Sequence, residues 1–108
     1  MATPLRGKTI AILATDGFEQ VELTEPKQAV EQAGAATRIL SLKRGEIQGM
    51  HHDMKGVTFK VDGLVADARI DDYDALILPG GVANPDALRM DKAAVAFVRD
   101  FTLSGKPI

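Results

Sequence analysis

Two continuous apolar runs constrain the fold more than any other feature of this sequence. One covers residues 9–14 and is closed by a turn at residues 15–17, and the other covers residues 75–78 and stops at the Pro-Gly-Gly segment 79–81. Runs without polar alternation are typical of strands that are buried on both faces of a parallel sheet. We therefore expect a parallel sheet that helices cover on both faces.

Two helical patterns alternate with these strands. The first stops at Gly34, a residue suited to the left-handed conformation just beyond a helix end, and the second ends at Gly105. Pro26 lies either in the first turn of a helix capped by Thr24 or at a kink in a longer helix that starts near Glu19. The apolar positions are Val21, Leu23, Ala29, Val30 and Ala33 in the first pattern and Ala93, Ala94, Phe97, Val98 and Phe101 in the second.

The remaining segments complete an α/β order. Residues 37–42 are a further strand candidate, and residues 43–56 favour an irregular or hairpin excursion from the sheet. Apolar and polar side chains alternate in residues 57–61, as in a strand with one face exposed to solvent. The order β-α-β, excursion, β-α-β predicts a doubly wound, mainly parallel sheet with right-handed crossovers. Residues 106–108 favour the opening of the next buried strand, so we expect the sheet to continue beyond them.

Charge and hydropathy exclude several classes of function. The apolar fraction of 45% allows a core, and the net charge of -2 gives no clustered basic face for nucleic acid. The apolar runs are far shorter than the roughly 20 residues that span a bilayer. Residues 1–7 contain no apolar segment of a secretory signal, and the sequence has no cysteine. We therefore expect a cytoplasmic location, no membrane or nucleic-acid partner, and no disulfide.

Ligands of open α/β sheets bind beyond the carboxyl ends of the strands, and two loops fit that place. They cover residues 15–22 and 79–86, and a flavodoxin-like strand order would bring them together. Glu19 and Glu22 in the first loop lie three residues apart, on one side of a first helical turn. They either complement the helix dipole, or one of them points into the cleft and exchanges a proton or a hydrogen bond with a nucleophile.

The glycine pair of the second loop, Gly80 and Gly81, allows the backbone to approach a ligand closely. It is either a plain strand-to-helix turn or a site where the amide of Gly81 points at an oxyanion. A phosphate-binding loop is a rival, but the glycine spacing and the lysine of such loops are missing. His51 and His52 would point to opposite sides of an extended segment, so we expect a surface or subunit-contact loop there, with neither metal nor cofactor.

Three stretches in register resemble the PfpI family of a superfamily of intracellular proteases and deglycases. They are residues 17–23, 74–81 and 104–108. Residues 24–26 and 84–86 are most similar to the bacterial general-stress subgroup. The resemblance implies a flavodoxin-like α/β fold with helices on both faces of the sheet. It also implies that residues 1–108 are the N-terminal portion of a single domain.

The resemblance further implies which residues form the site. A cysteine nucleophile and an adjacent histidine are expected shortly after Ile108. Glu22 matches the glutamate that hydrogen-bonds this cysteine, and Glu19 matches a second acidic position at the pocket. Asp86 matches an acid that reaches a histidine across a subunit interface, although the family has Glu there in a differently spaced loop. Gly80 and Gly81 match glycines on the oxyanion side.

The activity implied by the resemblance is that of a stress-response enzyme. Its substrates would be small carbonyl or glycated compounds, as for a glyoxalase or deglycase, or peptides, as for a cysteine peptidase. A homodimer or a larger homo-oligomer is expected, without a cofactor. The alternatives are a redox-sensing or holdase stress protein without turnover, and a flavodoxin-like small-molecule binder outside the family.

Overall fold

Residues 4–81 and 83–108 are described by the structure, a computed structural model, and within them the chain forms two β-sheets and three α-helices. Met1, Ala2, Thr3 and Val82, the last of which falls in the predicted second loop, lie outside the described residues. In chain order the elements are β1 Thr9–Leu13, β2 Phe18–Glu19, α1 Gln20–Gln32, β3 Ala36–Ser41, β4 Glu46–His51, β5 Met54–Lys60, β6 Gly63–Leu64, β7 Ala75–Ile77, α2 Ala83–Arg89 and α3 Lys92–Ser104, with 3-10 turns at Val65–Asp67 and Ile70–Asp72.

The main sheet has the strand order β6-β3-β1-β7, and every neighbouring pair is parallel. Strands β1, β3 and β7 coincide within one residue with the segments predicted at 9–14, 37–42 and 75–78. The predicted mainly parallel α/β sheet is therefore confirmed. Strand β1 lies between β3 and β7, so the loops that follow β1 and β7 leave the sheet side by side.

Alternate residues of β1 pack on opposite faces of the main sheet, because successive strand side chains point to opposite sides. Ala11 and Leu13 pack in a buried cluster with residues of α3, and Ile12 packs in a second cluster with Leu23 of α1. Helices therefore cover both faces, as predicted. The first cluster also contains Leu40, Val65, Tyr73, Leu76, Ala94, Phe97 and Phe101, and the second Ala14, Phe18, Ile39, Ile47 and Val61.

Helix α1 is the longer of the two alternatives that the sequence left open. It begins at Gln20 after Glu19 and continues through Pro26, so Thr24 is not its cap. The predicted apolar stripe of five residues is wrong, because Leu23 is the only buried residue of this helix and 43% of the Val21 surface is exposed. Glu19 is the last residue of β2 and Glu22 lies in the first turn of α1, so both candidate glutamates lie at the start of this helix.

The excursion at residues 43–56 is part of a β-hairpin. Strands β4 and β5 are antiparallel, and β2 pairs in parallel with β4 in a second, three-stranded sheet. The hairpin reverses at His52, whose φ of 58° is left-handed. The predicted strand at residues 57–61 begins earlier, at Met54, and most of its side chains are exposed on both faces.

Helix α3 begins after Asp91, whose carboxylate accepts the amide of Ala94 at 2.9 Å, and ends at Gly105 with a φ of 78°. Beyond it the carbonyl oxygen of Pro107 accepts the amide of Leu76 at 3.0 Å, so the segment after the helix lies beside β7. None of the helices in the described part of the chain has the length and apolar character required to cross a membrane.

Candidate functional site

The two candidate loops contact each other directly at the carboxyl edge of the main sheet. The amide of Gly80 donates a hydrogen bond to Oε1 of Glu22 at 2.8 Å. The amide of Glu19 donates in turn to the carbonyl oxygen of Gly80 at 2.9 Å. The structure therefore brings Glu22 and the glycine pair together, as the strand order predicts. The amide and the carbonyl oxygen of Gly80 both bind to the first loop and fix the position of the two loops relative to each other.

Both glycines of the second loop lie against the first loop, and the backbone contacts of Gly81 require glycine at that position. A Cβ atom on Gly80 would collide with the Glu22 carboxylate. Gly81 has a φ of 117°, and a Cβ atom there would lie 2.7 Å from the carbonyl oxygen of Gly17 and 3.0 Å from the amide nitrogen of Glu19. The amide of Gly81 forms no hydrogen bond with a described residue, and its oxyanion role stays a prediction.

The carboxylates of Glu19 and Glu22 bind different partners, although the spacing of the two residues puts them on one side of the helix start. Oε1 of Glu22 accepts Gly80, and its Oε2 accepts no hydrogen bond from the described residues. The carboxylate of Glu19 instead accepts the amide of His52 through both oxygens at 3.2 Å. Of the two acids, Glu22 contacts the glycine pair through its side chain, whereas Glu19 binds the turn of the hairpin.

Two further side chains join the hairpin to the first loop, and the sequence analysis missed both. Oε1 of Gln20 accepts the amide of Val57 at 2.9 Å. A carboxylate oxygen of Asp16 accepts the amide of Gln48 at 2.8 Å. Their partners lie about 30 residues or more away in the chain, so no local pattern could have indicated these contacts.

Asp86 lies in the first turn of α2, which begins at Ala83 inside the predicted loop. Its carboxylate is exposed and pairs with the guanidinium of Arg89 at 3.0 Å, on the same helix. The structure does not place it against Glu22 or the glycine pair. Its expected contact with a histidine across a subunit interface stays a prediction.

Glu22, Gly80 and Gly81 each line a different surface depression. Gly81 lines a cavity of about 810 Å³ whose other wall is the hairpin, including His52 and Lys55. Gly80 lines an apolar groove of about 560 Å³ between β7, α2 and α3. Glu22 lines a third depression of about 600 Å³. The contact between Glu22 and Gly80 therefore has accessible space beside each of its two partners.

The paired histidines lie on the surface. His51 ends β4, His52 forms the turn, and both side chains are exposed. Within the part of the chain that the structure describes, no group of three or more His, Cys, Asp or Glu side chains is placed to hold a metal ion.

Replacing Glu19 with Ala should loosen the hairpin turn. An exposed hydrogen bond to a carboxylate contributes about 1 kcal/mol, so we expect hydrogen exchange of the His52 amide to become roughly fivefold faster. Glu46→Ala is the matched control, since Glu46 accepts Thr58 at the other end of the same hairpin, 3.1 Å away. Equal exchange rates at His52 in the two variants would contradict the anchoring role of Glu19.

Comparison with known proteins identifies similar sequences along almost the whole chain. The sequence profile described as the DJ-1/PfpI family matches residues 8–108. YraA of Bacillus subtilis, provisionally named a cysteine protease, is 39% identical over 102 residues, which are 94% of this chain and 57% of that protein. A deglycase of Thermococcus kodakarensis is 37% identical over 99 residues, covering 92% and 57% of the two chains.

General stress protein 18 of Bacillus subtilis is 36% identical over 102 residues, covering 94% of this chain and 58% of that protein. The chain thus spans a little more than half the length of the curated relatives it matches. Among solved structures, a two-domain protein from Anabaena variabilis with DJ-1/ThiJ/PfpI-like and ferritin-like domains aligns with a TM-score of 0.83 at 28% identity. The alignment covers 92% of this chain and 28% of that one, and it supports the flavodoxin-like fold.

Proposed function

The chain belongs to the DJ-1/PfpI family, and on that premise we propose that it is the N-terminal part of a stress-response enzyme with a cysteine nucleophile beyond Ile108. Its substrates would be small carbonyl or glycated compounds. Relatives named as a deglycase and as a general stress protein support this choice. Peptide hydrolysis is the second activity to test, because another relative is provisionally named a cysteine protease.

The observation that carries the proposal is the contact between Glu22 and Gly80. One carboxylate oxygen is fixed by a main-chain amide at 2.8 Å, so the carboxylate is held at the carboxyl edge of the sheet, and no side chain of the described residues neutralises it. A carboxylate in this setting can exchange a proton with a nucleophile or substrate that reaches Oε2. Glu22 is exposed on the described surface, and the proposal places the thiol against it.

Strand geometry supports the expected position of that thiol. Pro107 lies opposite Leu76 through a main-chain hydrogen bond, and a strand that continues parallel to β7 advances about 3.3 Å per residue. Strand β7 ends at Ile77, so a strand beside it that continues a few residues beyond Pro107 would pass the end of β7, where the loop with Gly80 begins. A nucleophile at the end of such a strand would emerge beside Glu22.

The proposed chemistry uses methylglyoxal as the simplest substrate. The thiolate adds to the aldehyde carbon and forms a hemithioacetal, whose oxyanion would be stabilised by the amide of Gly81. Glu22 removes the proton from that carbon and delivers it to the neighbouring carbon. The oxygen on the neighbouring carbon takes a proton from water, so the hemithioacetal becomes the thioester of lactic acid. Addition of water to the thioester releases lactate and regenerates the thiol, so the reaction consumes no external reductant.

Two measurements on the full-length protein test the proposal. The intact mass shows whether residues follow Ile108, and a mass equal to that of the 108 residues alone would contradict the proposal. Incubation with methylglyoxal should produce lactate, and amino-acid adducts of methylglyoxal should lose their carbonyl fragment. Selective oxidation of one cysteine by mild peroxide together with negligible turnover would instead favour the redox-sensing alternative.

A further inference from the structure

We infer that Lys106 is a positioning residue that fixes the segment leading from α3 to the nucleophile, an inference that rests on the proposed function. Lys106 lies two residues beyond the end of α3 and is partly buried. It is more than 80 positions away in sequence from Glu22, and nothing in the chemistry proposed above requires it. Its contacts nevertheless connect the end of α3 with the 3-10 turn that precedes β7.

The ammonium group of Lys106 binds the turn that precedes β7. Nζ donates to the carbonyl oxygen of Ile70 at 2.8 Å and to that of Tyr73 at 2.9 Å. These two carbonyls lie at the start and just past the end of the 3-10 turn Ile70–Asp72. Because Tyr73 is buried and β7 starts two residues later, a bond to this turn fixes Lys106 relative to the edge strand.

The same ammonium group lies over an aromatic ring of α3. Nζ is 5.7 Å from the ring centroid of Phe101, which is fully buried in the cluster under the main sheet. An ammonium has three donors and no acceptor, so two carbonyl oxygens and the face of a ring can satisfy it without a carboxylate. An apolar side chain at position 106 has neither charge nor hydrogen-bond donors, so it could not make these contacts.

The backbone on either side of this side chain is fixed as well. The amide of Lys106 donates to Oγ of Ser104 at 3.2 Å, and Oγ of Ser104 donates to the carbonyl oxygen of Phe101 at 2.5 Å. The next residue, Pro107, accepts the amide of Leu76. The Lys106 contacts therefore precede the first hydrogen bond to β7 and set the register from which the following strand would run.

The contacts of Lys106 should affect the rate of the reaction and not only the stability of the fold. The amide of Gly80 holds the Glu22 carboxylate just past the end of β7. The segment after α3 must therefore place the thiol within reach of that carboxylate. A misplacement of about 1 Å between reacting groups can lower a rate about 100-fold. Loss of the Lys106 contacts should thus reduce kcat while the substrate-binding surface, and hence KM, stays nearly unchanged.

The test uses Lys106→Met in the full-length protein, with Lys92→Met at the exposed start of α3 as the matched control. We expect the first variant to lower kcat about 100-fold with KM changed less than about threefold. Lys106→Arg, which retains charge and donors, should recover most of the loss. Hydrogen exchange of the Leu76 amide should become about tenfold faster in Lys106→Met only.

The outcomes separate this inference from the proposed function. If the wild-type protein turns over methylglyoxal and Lys106→Met keeps its kcat and its protected Leu76 amide, the positioning role alone is overturned. If the wild-type protein has no reactive thiol, the proposed function fails and the positioning role fails with it. Should Lys106→Met not fold by circular dichroism, Lys106→Ala is measured in its place, and an unchanged kcat in that variant overturns the inference.

Discussion

Replacing Glu22 with Gln in the full-length protein should lower kcat/KM for methylglyoxal by about 100-fold to 10,000-fold, the usual contribution of a positioned acid–base group. The amide oxygen of Gln can still accept the hydrogen bond from Gly80, so the loop contact and the fold should persist. What the variant loses is the ability to exchange a proton at the second oxygen. The measurement is steady-state lactate formation, with circular dichroism to verify folding.

The control for this substitution is Glu25→Gln. Glu25 lies on the same helix, is exposed, and carries the same charge, so it reports the effect of removing one negative charge near the site. We expect its kcat/KM to stay within about threefold of the wild-type value. A Glu22→Gln variant that retained wild-type turnover would show that Glu22 serves only the loop contact, and the proposed acid–base role would be abandoned.

Replacing Gly81 with Ala should destabilise the protein by about 3 kcal/mol or more, because two penalties combine. A φ of 117° is strained for any residue with a Cβ atom, which costs about 1–3 kcal/mol. The new Cβ atom would also lie 2.7 Å from the carbonyl oxygen of Gly17 and 3.0 Å from the amide of Glu19. Both are main-chain atoms held in the first loop, so neither can move aside as a flexible side chain would.

Gly45→Ala separates the two penalties. Gly45 has a similar φ of 108°, but a Cβ atom there would meet nothing within 4 Å. We expect its loss of stability to reflect backbone strain alone, about 1 kcal/mol. Free energies of unfolding from urea titrations give the comparison. If the two variants lose the same stability, the close approach of the glycine loop to the first loop does not exist in solution.

Local sequence patterns predicted most of the main sheet. The apolar runs at residues 9–14 and 75–78 gave β1 and β7, and Gly105 marked the end of α3. These features depend on neighbours within a few residues, because a strand buried on both faces must be apolar throughout and a left-handed helix end favours glycine. Strand order then predicted that the two loops would meet.

Other elements could not be predicted because their partners are distant in sequence. Strand β2 is two residues long and exists through its pairing with β4. Helix α2 follows a glycine pair and contains Pro85, so the local pattern favoured a loop. The apolar stripe of α1 was overestimated because the structure buries only Leu23 from that helix.

The sequence by itself determined the parallel α/β order, the family motifs, and the pairing of an acidic helix start with a glycine turn, because each of these is a pattern of neighbouring residues. Only the tertiary structure decided which main-chain amide binds to each glutamate. The spacing of Glu19 and Glu22 puts both on one side of the helix start and does not distinguish them. In the structure the Glu19 carboxylate accepts the amide of His52 in the hairpin, and the Glu22 carboxylate accepts the amide of Gly80. That difference arises because the hairpin and the β7 loop approach the start of α1 from different directions, through contacts that span more than 30 residues of the chain.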